Sequence, residues 1–390
     1  MSIPDHIILF TFLLIFFFVW GVRSYDIKNN EKFWLTALWP IITYSIILGC
    51  RYGWGNDYKW YKFQFEHTTN TYVVETTQLW WREFNHFLSD GFLGLNYVGA
   101  FIVYSLIYIV SAFVLIRGYG RESKYMYAFL LPATLMLSTF TIRQSVAFSF
   151  VFLAISFANK KDWIKMIIVI IISASIHSSS LISVVWIAFF YLFVRYPISW
   201  KVTIPIYLFF TFVWDVSQLG FINNYIQFLN LGNSNFQSYI DNSDEWFSAE
   251  AVQDQYLQST LTQILSAIFH VTSIFFCYQS LKRNGTNRSI ISLYNVIVTA
   301  IIVSRAGFSI ELVRRIGDTM FSLYFIPLGF CWYHYNIKGM KLLHKEYRIV
   351  MNVCVYSIIF FLIAYFGRWI LFFDDLNSKL HLKSMFIWNL

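Results

Sequence analysis

Apolar residues run through this chain in long, nearly uncharged stretches separated by short polar segments. A bilayer core about 30 Å thick needs roughly 20 residues of α-helix, each of which rises about 1.5 Å. The stretches therefore predict an all-α polytopic integral membrane protein with about 12 spanning helices, in a single domain over residues 1–390. The predicted helices cover residues 6–22, 33–50, 97–116, 125–142, 144–159, 163–177, 179–194, 202–214, 259–281, 289–304, 316–335 and 349–367.

Two of these helix boundaries rest on polar residues inside a longer apolar stretch. Residues 125–159 would form a helix about 50 Å long, which is too long for one crossing even when tilted. Arg143 interrupts that stretch, and a charge is costly at mid-membrane, so we expect a hairpin there. The stretch 163–194 is divided in the same way at His177 and the three serines that follow it.

Two polar intervals are much longer than the others, at residues 51–96 and 215–258. Long ordered loops in a compact protein usually carry function. The second interval contains six acidic residues and no Lys or Arg. We therefore expect the functional surface of the protein on the side where these two intervals emerge.

Composition narrows the class of protein. Hydrophobic residues make up 57% of the chain and charged residues 13%, whereas a soluble domain carries about 25% charged residues. This excludes an ordinary soluble enzyme and a disordered protein. The net charge of +8 does not indicate nucleic-acid binding, because Lys and Arg are spread through short loops. The four cysteines have no metal-binding or disulfide spacing.

The basic residues also predict an orientation. Most of the 29 Lys and Arg residues fall in the short loops after the first, third, fifth, seventh, ninth and eleventh predicted helices. The positive-inside rule places such loops in the cytoplasm. Both termini and both long polar intervals are then expected on the outer side of the membrane.

A smaller set of charged residues lies on this predicted outer face, many of them at helix ends. Its members are Arg51, Asp57, Arg82, Arg143, Arg305, Arg314 and Arg315, with His177 at a helix end on the same face. Arginine keeps its charge and can hold phosphate oxygens through two parallel hydrogen bonds. Arginines gathered on one side of a bilayer suggest a bound polyanion, and a lipid pyrophosphate is the obvious candidate.

Some of these charges also have a purely structural explanation. Arg314 could pair with Asp318, and Arg315 with Glu311, at the i,i+4 spacing of one helix. Arg305 could be only an interfacial anchor.

Arg143 and His177 differ from each other in how readily a purely structural role explains them. Arg143 has no acidic residue within four positions, and it opens a helix whose N-terminal dipole also favours an anion. His177, taken alone, could be a satisfied polar residue at a turn. Arg143 is therefore the strongest functional candidate from the sequence.

The first long polar interval opens with aromatic residues around one acid. Trp54, Tyr58 and Tyr61 flank Asp57, and Gly53 permits a tight turn just before them. Aromatic rings cover the C–H faces of sugars while carboxylates accept hydrogen bonds from their hydroxyls, so the pattern is compatible with sugar binding. An interfacial aromatic belt is the alternative interpretation.

Four short motifs, in this order, resemble the EpsG/Wzy-like family of exopolysaccharide, capsular and O-antigen polysaccharide polymerases. They are Arg51-x-Gly53-x-x-x-Asp57-Tyr58-x-x-Tyr61, Arg143-Gln144-x-x-Ala147, His177-Ser178-Ser179, and Arg314-Arg315 with Tyr324 downstream. One position departs from the family pattern, since Ser178 stands where the family often has proline.

The resemblance implies a glycosyltransferase that joins oligosaccharide repeat units carried on polyprenyl pyrophosphate, at the outer face of the bacterial inner membrane. It implies a GT-C-like fold, lipid-linked oligosaccharide as both donor and acceptor, and a chain-length regulator as a further partner. We expect no cofactor and no nucleic acid. Because the leaving group is already activated and no metal-ligand cluster is visible, we also expect metal independence.

Two other functions stay open. A flippase or transporter of lipid-linked oligosaccharide could use the same arginines, although it should line a path with polar residues near the bilayer midplane, where few are visible. An O-antigen-ligase-like glycosyltransferase would use closely related chemistry.

The resemblance and the chemistry together suggest roles for individual residues. Arg143 and Arg314 are expected to neutralise the departing pyrophosphate, and Asp57 and His177 are the candidates for the general base. A histidine near its usual pKa of about 6.5 suits that role, whereas Asp57 would need a raised pKa. The expected substrate-binding residues are Arg51, Tyr58, Tyr61, Trp54, Gln144, Arg315, Arg305 and Tyr324.

Overall fold

The protein is described here from a computed structural model. The described residues are 3–25, 30–53, 57–214, 260–284, 287–307, 311–336, 348–363 and 385–386. The predicted outer interval 215–258 and the predicted sugar contact Trp54 lie outside them.

Helices account for nearly all of the described structure before residue 215. They are α1 (Ile3–Tyr25), α2 (Asn30–Gly49), α3 (Tyr58–Glu66), α4 (Thr71–Thr76), α5 (Leu79–His86), α6 (Tyr97–Arg117), α7 (Met126–Phe140), α8 (Ile142–Asn159), α9 (Trp163–Ile176), α10 (Ser180–Phe193) and α11 (Trp200–Phe212). A π-helical turn (Phe87–Gly91) extends α5, and a 3₁₀ helix (Gly120–Tyr125) precedes α7.

The described residues after 259 continue the pattern. They form α12 (Thr260–Asn284), α13 (Arg288–Ala306), α14 (Glu311–Phe321), a 3₁₀ turn (Ser322–Tyr324), α15 (Phe325–His334) and α16 (Arg348–Ile363). Two short strands, β1 (Arg51–Tyr52) and β2 (Met385–Phe386), pair antiparallel with Arg51 opposite Phe386. The pairing brings a C-terminal segment back to the start of the first polar interval.

The chain is an all-helical, multi-pass membrane protein. Five described helices are long and apolar enough to cross a bilayer: Lys32–Gly49, Tyr97–Arg117, Ile142–Asn159, Gln263–Arg283 and Arg288–Ala306. Five shorter apolar helices accompany them: Ile8–Ser24, Trp163–Ile176, Ser180–Phe193, Trp200–Phe212 and Arg348–Ile363. Each predicted apolar stretch contains described helix, while the total of 12 crossings stays a prediction.

The outer surface of α9 shows why a lipid environment is needed. Ile164, Ile167, Ile168 and Ile171 are all at least half exposed, and they recur at the spacing of one helix face. In water such a stripe would cost free energy in proportion to its apolar area. The opposite face of α9 buries Ser173 against the bundle, so the apolar stripe is oriented toward lipid.

Both predicted helix breaks are present. The stretch 125–159 is interrupted at Thr141, whose φ and ψ angles of −127° and 69° are not helical, and Arg143 lies in the first turn of α8. The stretch 163–194 is interrupted at His177, which has an extended backbone, before α10 begins at Ser180.

The predicted helix over 316–335 differs from the observed structure. α14 begins earlier, at Glu311, and a 3₁₀ turn separates it from α15. Pro327 explains the interruption, because it has no backbone N–H for the Leu323 carbonyl and its ring crowds that carbonyl. The chain forms a 3₁₀ turn that ends directly before α15.

The first polar interval is folded rather than an extended loop. Its helices α3 and α5 pack with α6, α8 and α9 around a second, smaller core that contains Tyr61, Trp81, Phe101, Ile142 and Ile176. Ile142 and Ile176 are the immediate chain neighbours of Arg143 and His177. This small core therefore holds α3 beside both helix breaks.

The orientation can be tested by cysteine labelling. In a variant whose four native cysteines are replaced by serine, Lys160→Cys lies in the turn after α8 and Ser178→Cys in the turn after α9. We expect a membrane-impermeant maleimide added to intact cells to label residue 178 and not residue 160. Labelling of residue 160 alone would invert the predicted topology.

Candidate functional site

The break before α8 places Arg143 at a helix start. The first backbone N–H groups of a helix have no partner within it, and they carry a partial positive charge. Arg143 lies in that first turn and is half-buried, and its Nε atom has no hydrogen-bond partner among the described residues. The Arg143 guanidinium and the N-terminus of α8 thus present positive charge at the same place.

A hydrogen bond between α8 and α9 places the helix break at His177 beside the helix break at Thr141. Ser173 Oγ donates to the Ala147 carbonyl at 2.7 Å. Ala147 lies one turn after Arg143, and Ser173 lies one turn before His177. Because the two helices are antiparallel neighbours, Arg143 and His177 end up at the same end of the pair.

His177 is enclosed beside two arginines. Burial lowers the pKa of its imidazole to about 3, and the positive charges of Arg143 and Arg315 add to the effect. Its Nδ1 is buried and accepts or donates no hydrogen bond within the described part of the chain. His177 is therefore neutral near pH 7, which differs from the sequence expectation of an ordinary histidine pKa.

Tyr61 and Asp57 complete this group from the side of α3. Burial raises the pKa of the Tyr61 hydroxyl, and the charge of Asp57 raises it further. The positive charges of Arg143 and Arg315 lower this pKa. Asp57 directly precedes α3, and its carbonyl accepts from the Tyr61 N–H at 2.9 Å. We call the five residues Asp57, Tyr61, Arg143, His177 and Arg315 the arginine–histidine site.

α14 delivers Arg315 to the site through close packing and a buried hydrogen bond. A Cβ on Gly317 would lie 2.8 Å from the Ala300 carbonyl, so only glycine lets α14 approach α13 this closely. Gln144 Nε2 donates to Thr319 Oγ1 at 2.5 Å, and Thr319 Oγ1 donates to the Arg315 carbonyl at 2.6 Å. Gln144, predicted to bind substrate, thus joins α8 to the helix that carries Arg315.

Arg314 and Arg305 face a different partner. Ser304 Oγ donates to Asp318 Oδ1 at 2.7 Å, and the charges of both Arg314 and Arg305 act on that carboxylate. The charge of Arg314 therefore acts on Asp318, four residues later on the same helix. Arg305 also donates from Nη2 to Ser266 Oγ at 2.7 Å, and this hydrogen bond joins α13 to α12.

Sequence reasoning missed the polar contacts beneath Arg305. His270 Nδ1 lies 2.8 Å from the Tyr207 hydroxyl, and the charge of Arg305 acts on His270. Ionisable residues inside apolar helices are functional candidates by default. That rule applied to His270 could have identified this group from sequence, whereas its partner Tyr207 carries no such signal.

Arg51 and Tyr58 both contact the Phe101 ring of the small core. Arg51 is 1% exposed and donates from Nη1 to the Leu48 carbonyl at 2.6 Å and from Nη2 to the Ser138 carbonyl at 3.1 Å. Burial lowers its pKa to about 10. The Tyr58 ring packs edge-on against Phe101 at 5.4 Å, and the Arg51 guanidinium lies 5.3 Å from the same Phe101 ring. Arg51 therefore joins α2 to α7 in this structure.

Tyr324 belongs to the aromatic core. Its ring stacks on Phe321 at 4.9 Å and meets Phe269 edge-on at 5.7 Å. The described residues contain no group of three or more His, Cys, Asp or Glu side chains arranged to hold a metal. Metal independence stays a prediction.

Comparison with known proteins agrees with the motifs. A model of the EpsG family matches residues 34–380, which is most of the chain. The protein therefore belongs to the EpsG family, and this membership suggests a function of the polysaccharide polymerase type. No curated protein and no solved structure matches the chain.

Proposed function

We propose that this protein is a polysaccharide polymerase that joins oligosaccharide repeat units carried on polyprenyl pyrophosphate. In this proposal the apolar helices cross a bacterial inner membrane 12 times, in a GT-C-like arrangement, and the arginine–histidine site faces outward. The observation that carries the proposal is the convergence of Arg143, Arg315 and His177 at one end of α8 and α9.

Three features of the site favour a pyrophosphate. Arg143 and Arg315 supply two permanent positive charges, and the N-terminus of α8 adds the partial positive charge of its helix dipole. Arg143 Nε and His177 Nδ1 have no hydrogen-bond partner in the described structure. Buried polar groups are normally paired, so both atoms are available to a ligand.

The reaction in this proposal is a substitution at an anomeric carbon. A hydroxyl oxygen of one lipid-linked unit forms a bond to C1 of the growing chain, and the bond from C1 to the polyprenyl pyrophosphate oxygen breaks. The hydroxyl proton passes to a base on the protein. Arg143 and Arg315 stabilise the charge that develops on the leaving pyrophosphate, and electrostatic stabilisation of this kind is usually the largest catalytic contribution. Arg314, at the next position on α14, acts instead on Asp318.

His177 is proposed as the base once substrate is bound. In the empty site its pKa is about 3 because of burial and two adjacent arginines. A pyrophosphate between those arginines compensates their charge, which raises the pKa of the imidazole. Asp57, whose charge acts on Tyr61, is the second candidate, either as base or as a group that orients the sugar.

Removing the guanidinium of Arg143 tests the pyrophosphate assignment. We expect Arg143→Ala to lower the polymerisation rate about 100-fold or more, the loss that follows removal of one preorganised stabilising group. Arg143→Lys should fall between this variant and the wild type, because it keeps the charge but loses the two-pronged geometry. The measurement is the length distribution of surface glycan in a deletion strain complemented with each variant.

The matched control is Arg82→Ala, on the same predicted face. Arg82 donates to its neighbour Glu83 at 3.1 Å, outside the arginine–histidine site, and its loss should leave the glycan normal. Long polymer from Arg143→Ala at normal membrane levels would refute the assignment. Loss of polymerase should leave single repeat units on the final acceptor, whereas loss of a flippase or ligase removes the surface glycan altogether.

The pH dependence tests the role of His177. The pH dependence of kcat/KM reports the pKa values of catalytic groups in the free enzyme, and that of kcat reports their pKa values in the substrate complex. The free imidazole stays neutral down to about pH 3, so kcat/KM should show no acid limb from His177 between about pH 5 and 8. In the complex the raised pKa should make kcat fall toward acidic pH. Both are measured with purified protein and lipid-linked repeat unit.

His177→Gln supplies the comparison. It should lower kcat and abolish the acid limb, while Asp57→Asn should keep that limb. An acid limb in kcat/KM near pH 6.5 that disappears in His177→Gln would contradict the lowered pKa. Full activity in the double variant His177→Gln, Asp57→Asn would remove both candidates for the base.

A further inference from the structure

A cavity of about 250 Å³ lies beside α3, next to the turn at Gly53. It is lined by Tyr52, Gly53, Tyr58, Lys59, Lys62, Phe63 and Glu66. Gly53 has a φ of 70°, the left-handed region that glycine adopts readily, so the chain turns sharply at the cavity edge. Of these residues only Tyr58 was a candidate from the sequence.

The cavity and the arginine–histidine site lie on different faces of one helix. At 3.6 residues per turn, Lys59, Phe63 and Glu66 point almost opposite to Tyr61. Burial agrees, since Tyr61 is 8% exposed whereas Lys59 and Glu66 are exposed. The cavity therefore opens mainly on the side of α3 away from Tyr61, while Tyr58, which also lines it, directly follows Asp57 in the chain.

The cavity walls are aromatic and held in place. Phe63 stacks between Trp60 at 5.7 Å and His67 at 4.5 Å. On the other side the Tyr52 ring meets Tyr58 edge-on at 5.8 Å, and β1–β2 pairing fixes the Tyr52 backbone opposite Met385. Rigid rings of this kind suit the C–H faces of a sugar.

Polar groups line the remaining wall. Lys62 Nζ lies 3.7 Å from Glu66 Oε1 and 4.4 Å from the centre of the Tyr97 ring. Lys59 has no ion-pair partner among the described residues. Two ammonium donors and one carboxylate acceptor can together hydrogen-bond the hydroxyls of a sugar ring.

We propose that this cavity binds a sugar residue of the growing glycan after it has left the arginine–histidine site. The proposal rests on the proposed polymerase function. The volume is below the roughly 300–1,000 Å³ of pockets that bury a drug-sized ligand, which fits one sugar of a chain that continues into water. Retaining the chain here favours addition of a further unit over release.

The test is polymer length in cells that carry Tyr52→Ala or Phe63→Ala. We expect mean glycan length to fall about fivefold, which corresponds to roughly 1 kcal/mol of lost ring contact. Short oligomers of two or more units should accumulate. Membrane levels of each variant are compared by immunoblot, and size-exclusion chromatography of the extracted glycan gives the length distribution.

Trp80→Ala is the matched control. Trp80 is 64% exposed on α5 and lies outside the cavity lining, so its loss should leave glycan length unchanged. Wild-type lengths in both cavity variants would overturn the proposal. Glycan stopped at single units at normal protein levels would also overturn it, because the cavity would then belong to the reaction centre. Failure of the polymerase function itself would show separately, as normal polymer in Arg143→Ala.

Discussion

The hydrogen bond from Ser173 Oγ to the Ala147 carbonyl joins two antiparallel helices one turn below their broken ends. Arg143 and His177 occupy those ends, so this packing fixes their relative position. Arg315 arrives on α14, whose close approach to α13 depends on Gly317. The site is thus built on packed helices rather than on a loop, which favours precise positioning of functional groups.

The energetic constraint on such a site is the proximity of like charges. Arg143 and Arg315 both act on His177, and their effect together with burial holds the imidazole neutral. Two arginines side by side attract an anion, and a pyrophosphate carries more negative charge than the single carboxylate that Asp57 supplies in the site. Arg314 and Arg305 act on a different carboxylate, Asp318.

Sequence patterns predicted the helical class and both helix breaks, because these depend on local features. Arg143 and His177 with its serines interrupt apolar stretches, and a charge or polar cluster at such a point is visible in the sequence. The family resemblance was also visible and is confirmed by the match over residues 34–380.

Long-range contacts were beyond sequence reasoning. Gln144 and Thr319 are 175 positions apart, and Arg51 and Ser138 are 87 apart, so nothing local indicates that they meet. The same limit applies to α3, where Tyr58 and Tyr61 were interpreted as one platform. Both rings are buried in the small core around Phe101, where Tyr58 packs on Phe101 and the Arg143 charge acts on Tyr61.

The central claim is that Arg143 and Arg315 bind a pyrophosphate, and direct binding to the purified full-length protein tests it. Inorganic pyrophosphate would be titrated into the wild type, Arg143→Ala and Arg315→Ala in detergent, with Arg82→Ala as the control and calorimetry as the readout. The account predicts saturable binding that each site substitution weakens about tenfold or more, or 1.4 kcal/mol, and that Arg82→Ala leaves unchanged. Equal affinity in the wild type and Arg143→Ala would contradict it.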